Sequence, residues 1–253
     1  MTDHLVIPDT HVSPGVSTDH LEALGKLIVE RKPDVIVHLG DHADMNSLCA
    51  YNNRLQFEGA RYQEDIQAAN DGMDRLLGPL EQYNHHRRRL KMAQYLPRMV
   101  LTLGNHEHRI TRLVENDPRL LGAIDLTDLD YRDWEVIPFL EPVIIDGVTY
   151  VHYVKQDRSP NPIPRAHLIA QRRFSSFTCG HTQGLDYFLS HGLHRGERRI
   201  QCIVAGSFYM HDEDYLGPQG SQHWRGVIYK HNVHDGEYDT EFISLNRLME
   251  NYS

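Results

Sequence analysis

Four short polar clusters in the sequence carry side chains that bind metals: Asp9-Thr-His11, Gly40-Asp-His-Ala-Asp44, Gly104-Asn-His-Glu107 and Gly180-His-Thr-Gln183. Each directly follows an apolar run. Carboxylate, amide and imidazole donors in combination suit Mn, Fe or Zn better than Ca or a lone Mg. One carboxylate can also be shared by two cations roughly 3.5–4 Å apart, an arrangement suited to displacement at phosphorus. Any one cluster alone reads as capping and turn chemistry at a strand end. Four in series, each in the same context, point instead to a metal site. The glycines permit tight turns from which neighbouring side chains project.

The elements that must position these clusters follow from the apolar pattern. Leu5 to Pro8 predicts a first strand ending at Asp9. Ser17, Thr18 and Asp19 offer caps for a helix with Leu21, Leu24, Leu27 and Ile28 on one face. Pro33 ends it, and the run from Asp34 to Leu39 predicts a second, buried strand, giving a parallel βαβ unit. Tyr62 to Tyr95 reads as mainly helical with a break at Gly78-Pro79, and it carries the basic cluster from His85 to Lys91. A strand from Met99 to Leu103 runs into the third cluster, followed by a short helix near Arg109 to Val114. Further strands are expected at Trp134–Ile137, Val143–Ile145, Val148–Tyr153, Ser176–Cys179, Asp186–Leu189 and Ile200–Val204. Gly226–Val233 and Glu237–Leu245 flank a hairpin signal at His234-Asp-Gly236. The expectation is one α/β domain over residues 1–253 with a helical insertion at about 51–97, its ligands bound where strands end and loops begin.

Bulk composition narrows the function. A chain of 253 residues supports one sizeable core. The net charge of -9 argues against gripping nucleic acid by charge alone, yet bound divalent cations would reverse the sign inside a cleft. Three cysteines, far apart and without paired spacing, fit reduced thiols in a cytoplasmic setting. The N-terminal stretch has neither the basic start nor the apolar run of a secretion signal, and no apolar run approaches the roughly 18 residues of a membrane helix.

The order DxH, GDxxD, GNHE, an isolated histidine and GHT, from Asp9 to about Ser207, resembles that of the calcineurin-like metallophosphoesterases. There is also a general similarity to phage-encoded members and to DNA-repair exonucleases, which would imply the host cytoplasm for a phage-encoded protein. The resemblance implies a β-sandwich flanked by helices, with the metal site at the C-terminal ends of the strands. It implies that Asp9 and His11 hold a first metal, that Asp41 bridges, and that Asn105, the isolated histidine and His181 complete a second. His152 takes the isolated position because it ends the strand from Val148; His191 and His194 compete for that place but follow the last motif. His106 would protonate the leaving oxygen, steadied by Asp44, and Gly206-Ser207 resembles the glycine-serine turn of many members. Two divalent ions are implied, with Mn favoured and Fe, Zn, Ni or Mg as alternatives.

Two positions depart from the family pattern. Gln183 stands where many members have a second histidine, and it offers only a neutral carbonyl oxygen to the first metal. Met45 stands where protein phosphatases of the family carry arginine, which points away from a phosphoprotein substrate. Arg109 and His42 are candidate substrate contacts, with a helix-surface salt bridge and a solvated turn as the plainer readings. Arg87 to Lys91 could steer an anionic polymer, although a charge run is usually a solvated helix face. His167 with Arg165, His211 and His223 are left open. The leading expectation is a phosphodiesterase, with a nuclease acting on DNA or RNA as its narrower form. The alternatives are a phosphomonoesterase acting on nucleotides or small molecules, and a fold kept as an inactive scaffold.

Overall fold

The computed structural model describes residues 1–49, 59–190, 198–212 and 223–253. His191 and His194 lie outside them. Among the described residues two β-sheets stack face to face. The first, in spatial order, is built from β11 (Glu237–Ser244), β10 (Gly226–His234), β1 (Thr2–Ile7), β2 (Val35–His38), β3 (Arg98–Thr102) and β4 (Glu135–Ile137). The second runs β5 (Val143–Ile145), β6 (Val148–Val151), β7 (Phe177–Cys179), β9 (Ile200–Ala205) and β8 (Leu185–Ser190). In the first sheet β1 to β4 are parallel, and β10 and β11 close one side as an antiparallel hairpin. In the second sheet β6, β7 and β9 are parallel, between antiparallel edges β5 and β8.

Strands buried on both faces need apolar residues at successive positions, and β1 shows why. Val6 faces the second sheet and joins Val37, Val100, Tyr150 and Ile203 between the layers. Leu5 and Ile7 point the other way, against Leu21, Leu24 and Leu27 of α1 (Asp19–Arg31) and Leu76 and Leu77 of α2 (Tyr62–Arg89). The outer face of the second sheet packs Phe177, Cys202 and Val204 against Ile169 of α4 (Ala166–Arg173). The result is helices, sheet, sheet and helix, as expected of a sandwich flanked by helices.

Three sequence expectations need correction. The helix after Tyr62 is not broken at Gly78-Pro79; α2 runs unbroken to Arg89. A proline in a helix removes one hydrogen bond and crowds the preceding turn. Here burial of Met73, Leu76, Leu77 and Leu80 offsets that loss, and the proline ring sits against α1 at Gly25. A Cβ on Gly25 would meet the Leu76 carbonyl at 2.4 Å, so the two helices pack backbone to backbone there. The strand from Val148 stops at Val151, which leaves His152 one residue into the loop. Finally, the chain after β11 turns into a helix, α5 (Leu245–Tyr252), capped by the Ser244 hydroxyl, which accepts from the Arg247 N–H. The hairpin at Asp235-Gly236 is present, with both residues at positive φ as a tight turn of this type requires. No helix among the described residues is long and apolar enough to cross a membrane.

Candidate metal centre

Parallel strands end at the same edge, so the loops after β1, β2 and β3 emerge together, as do those after β6 and β7. Hydrogen bonds tie the two sets into one rim. The His11 N–H donates to the Asp41 carbonyl (3.0 Å), and the His152 Nδ1–H donates across the sheets to the Leu39 carbonyl (2.7 Å). The His181 N–H donates to both Asp9 carboxylate oxygens (3.1 and 3.0 Å). Asp9, His11, Asp41 and His152 are buried.

The ligand atoms fall into overlapping groups. Atoms of Asp9, His11 and Asp41 lie within 4.8 Å of one another, as do those of Asp41, His152 and His181. Asp41 belongs to both. Asn105 joins the second group, its Oδ1 3.0 Å from His152 Nε2, and that nitrogen is also 3.2 Å from Asp41 Oδ2. Because Nδ1 of His152 is committed to the Leu39 carbonyl, Nε2 is the nitrogen aimed into the centre, as a ligand histidine requires. A third group, His11, Asp44 and His106, adjoins these.

The backbone is shaped around the carboxylates. A Cβ on Gly104 would lie 2.1 Å from Asp41 Oδ1, and one on Gly180 would lie 2.3 Å from Asp9 Oδ1, so only glycine fits either position. His11, Asp41, Met45, His181 and Gln183 all have positive φ. Such a conformation costs a non-glycine residue roughly 1–3 kcal/mol, and it tends to persist where a site needs it.

Electrostatics also fit divalent cations. Burial pushes the Asp9 carboxyl up to about 6. Burial would likewise raise Asp41, yet His106 and His152 beside it hold it well below the ordinary carboxylate range. His152, which burial would lower, is raised to about 9 by Asp41 and Asp9. Two buried carboxylates on one rim thus draw positive charge, a proton on His152 in the protein alone. His181, lowered to about 4 by burial and by His152, keeps a neutral ring suited to ligation.

At the edge of the centre the His106 Nδ1–H donates to the Asp44 carboxylate and carbonyl (both 2.9 Å). The other ring nitrogen, Nε2, faces Arg109 Nη2 at 3.1 Å and Asp41 Oδ2 at 3.8 Å. Arg109 is held at this edge by donating to the carbonyls of Asp44 (2.7 Å) and Met45 (3.2 Å), not by a helix-surface salt bridge. His42 is different. The expectation that it contacts substrate is corrected: its ring is fully buried, bonded through Nε2 to the Ala69 carbonyl of α2 (2.9 Å) and through Nδ1 to Thr10 (2.8 Å). It fastens the second motif to the helix layer.

Gln183 is buried beside His11, but its carbonyl oxygen accepts from the Tyr209 hydroxyl (2.7 Å) and its Nε2 faces His11 Nε2 (3.3 Å). In this orientation it presents an amide N–H, not an oxygen, to the first group. His223 reaches this corner through Tyr209, Nδ1 to hydroxyl 2.8 Å, and His211 stacks on the Tyr209 ring. Arg165 and His167 sit instead at the start of α4.

Sequence reasoning gave Glu107 no role, and it is the organiser of the second loop. Its buried carboxylate accepts from the backbone N–H groups of Asp41 (3.0 Å), His42 (2.7 Å), Ala43 (3.0 Å) and Gly104 (2.9 Å). The signal was present in the GNHE motif, since a glutamate inside a buried loop must find donors. Tyr209 left no such signal.

The calcineurin-like phosphoesterase family profile matches residues 4–226. No curated protein sequence matches the chain. Among solved structures, a single-site mutant of Vps29 from Entamoeba histolytica is 11% identical, with a TM-score of 0.40 over 96% of this chain and 98% of that one. Wild-type Vps29 from the same organism, complexed with zinc, is 12% identical, with a TM-score of 0.38 over 96% and 99%. Yfce, a phosphoesterase from E. coli, is 12% identical, with a TM-score of 0.40 over 96% and 100%. With its family profile spanning most of the sequence and its motifs gathered on one rim, the chain belongs to the calcineurin-like phosphoesterase family.

Proposed function

We propose that the protein is a metal-dependent phosphodiesterase, of phage type and with nucleic acid among its candidate substrates. The observation that carries the reading is Asp41 standing in both donor groups, with the His106–Asp44 pair at their edge. Asp9, His11 and Asp41 would hold one divalent cation, and Asp41, Asn105, His152 and His181 a second. Bound there, the cations would supply an activated water and neutralise charge on the phosphoryl oxygens. The mixed oxygen and nitrogen donors suit Mn, Fe or Zn, and Mn is the metal proposed here.

The chain's own residues supply the remainder. Asp44 fixes the His106 ring through Nδ1 and leaves Nε2 to hand a proton to the departing oxygen, help worth roughly 10²–10⁴-fold. Arg109, whose Nη2 faces that nitrogen, stands where it can turn to a phosphoryl oxygen. Preference for a diester rests on charge. A monoester dianion gains from an additional cation, and the position after the second motif is the buried Met45 instead of an arginine. A diester carries one negative charge and needs less.

The assay compares bis-p-nitrophenyl phosphate with p-nitrophenyl phosphate in Mn²⁺. The expected result is faster turnover of the diester. Turnover of the monoester alone would make the protein a phosphomonoesterase, and no metal-dependent turnover of either would leave a scaffold.

A further inference from the structure

The two cation sites differ in how ready their donors are. At the Asp41, Asn105, His152 and His181 group the side chains already converge, with His152 Nε2 facing Asn105 Oδ1 and Asp41 Oδ2 at 3.0 and 3.2 Å, so a cation there replaces the His152 proton without moving a side chain. At the other group, the Gln183 amide bridges His11 Nε2 and the hydroxyl of the buried Tyr209. An amide –NH₂ can only donate, so its 3.3 Å approach to His11 Nε2 engages the lone pair a cation needs. The amide is also prevented from turning its oxygen inward, because Oε1 accepts from the Tyr209 hydroxyl at 2.7 Å. Tyr209 is itself clamped: its ring stacks on His11 (5.4 Å between centroids) and on His211 (4.6 Å), with the Arg225 guanidinium 5.0 Å from its centroid.

We propose that Gln183, held by Tyr209, latches His11 in the metal-free protein, so that the Asp41–Asn105–His152–His181 site fills first and the Asp9–His11–Asp41 site is a weaker, exchangeable second site. The inference rests on the two-cation reading above. Asp9 gives the latched site an additional carboxylate, which works against this order. The latch reverses it, because a cation there needs the His11 lone pair that the Gln183 amide engages, and the Tyr209 hydroxyl holds that amide in place. Changes to residues that orient metal ligands alter affinity by about 10–100-fold.

The test is Mn²⁺ binding by isothermal titration calorimetry, with electron paramagnetic resonance at one Mn²⁺ per chain, on wild type, Gln183→His, Gln183→Glu and Tyr209→Phe. Wild type is expected to show two classes of site at least about tenfold apart, and an isolated-ion spectrum at one equivalent. Gln183→His and Gln183→Glu, which bring a lone pair or a charged oxygen to the same place, are expected to tighten the weaker class by about tenfold or more and to shift the one-equivalent spectrum toward a spin-coupled pair. Tyr209→Phe is expected to tighten it less, by freeing the amide to turn. Two equal sites in wild type, or a weaker class unmoved in both Gln183 variants that fold by circular dichroism, would overturn the latch. Binding of a single Mn²⁺ by every variant would overturn the two-cation reading itself.

Discussion

At the scale of single residues, the donors were legible because each motif names its own side chains and their order is specific. What could not be read was how those side chains partner across the fold. Glu107 binds backbone N–H groups from a loop more than sixty residues away, and Gln183 turns its oxygen toward Tyr209, a residue in no motif. His42 sits inside a motif yet serves packing. His106 is the residue whose role gives the most selective readout. If its Nε2 delivers a proton, its removal should matter most where the leaving group is a poor one. His106→Gln is therefore expected to slow an alkyl phosphodiester by about 10²–10⁴-fold while slowing bis-p-nitrophenyl phosphate far less, because p-nitrophenolate departs without a proton. Equal losses on both esters in steady-state assays would assign His106 to binding instead.

At the scale of elements, strand positions followed from apolar runs, and the errors have physical causes. Pro79 reads as a helix breaker because propensity is local, whereas burial against α1 is not. The C-terminal helix α5 was hidden because Ser244-Leu245 continues the strand pattern until Leu248 needs a place in the core. Between the sheets lies a feature with no signal in the local pattern: the amino group of Lys230, fully buried. Its Nζ donates to Thr178 Oγ1 (2.5 Å) and the Tyr150 hydroxyl (3.3 Å) and lies 4.6 and 4.3 Å from the Tyr150 and Tyr238 ring centroids. His4 bonds the same Tyr150 hydroxyl, and Cys202 is near. Burial holds the Lys230 amine well below the usual lysine range. The unfolded chain therefore binds a proton at pH values where the folded chain does not, and stability falls as pH drops from about 10.4 toward the folded value. Lys230→Met is expected to raise the melting temperature at pH 7 and to flatten its decline between pH 10 and pH 7. A lower melting temperature with an unchanged slope would show that the amine stabilises the sandwich.

At the scale of the whole molecule, the sandwich and the location of its site at strand ends were readable from the alternation of strands, helices and polar clusters. The spatial order of the strands was not, since nothing local specifies which strand lies beside which. The basic cluster also needed the fold to interpret it. Ala69 of α2 touches the metal rim through His42, whereas Asn84 bonds Tyr95, whose hydroxyl reaches Pro33 just before β2. Twenty residues of helix at 1.5 Å each separate Ala69 from Arg89 by roughly 30 Å. Arg87 to Lys91 therefore sit at the opposite end from the centre and do not line it. The donors gather instead on the rim, where Asp41 belongs to two of the groups. The most direct test is a crystal of the protein soaked in Mn²⁺, with anomalous scattering collected at the manganese edge. The expected map has two peaks roughly 3.5–4 Å apart, each in contact with one Asp41 oxygen. Peaks that avoid Asp41, or a single peak at saturating Mn²⁺, would contradict the shared-carboxylate centre.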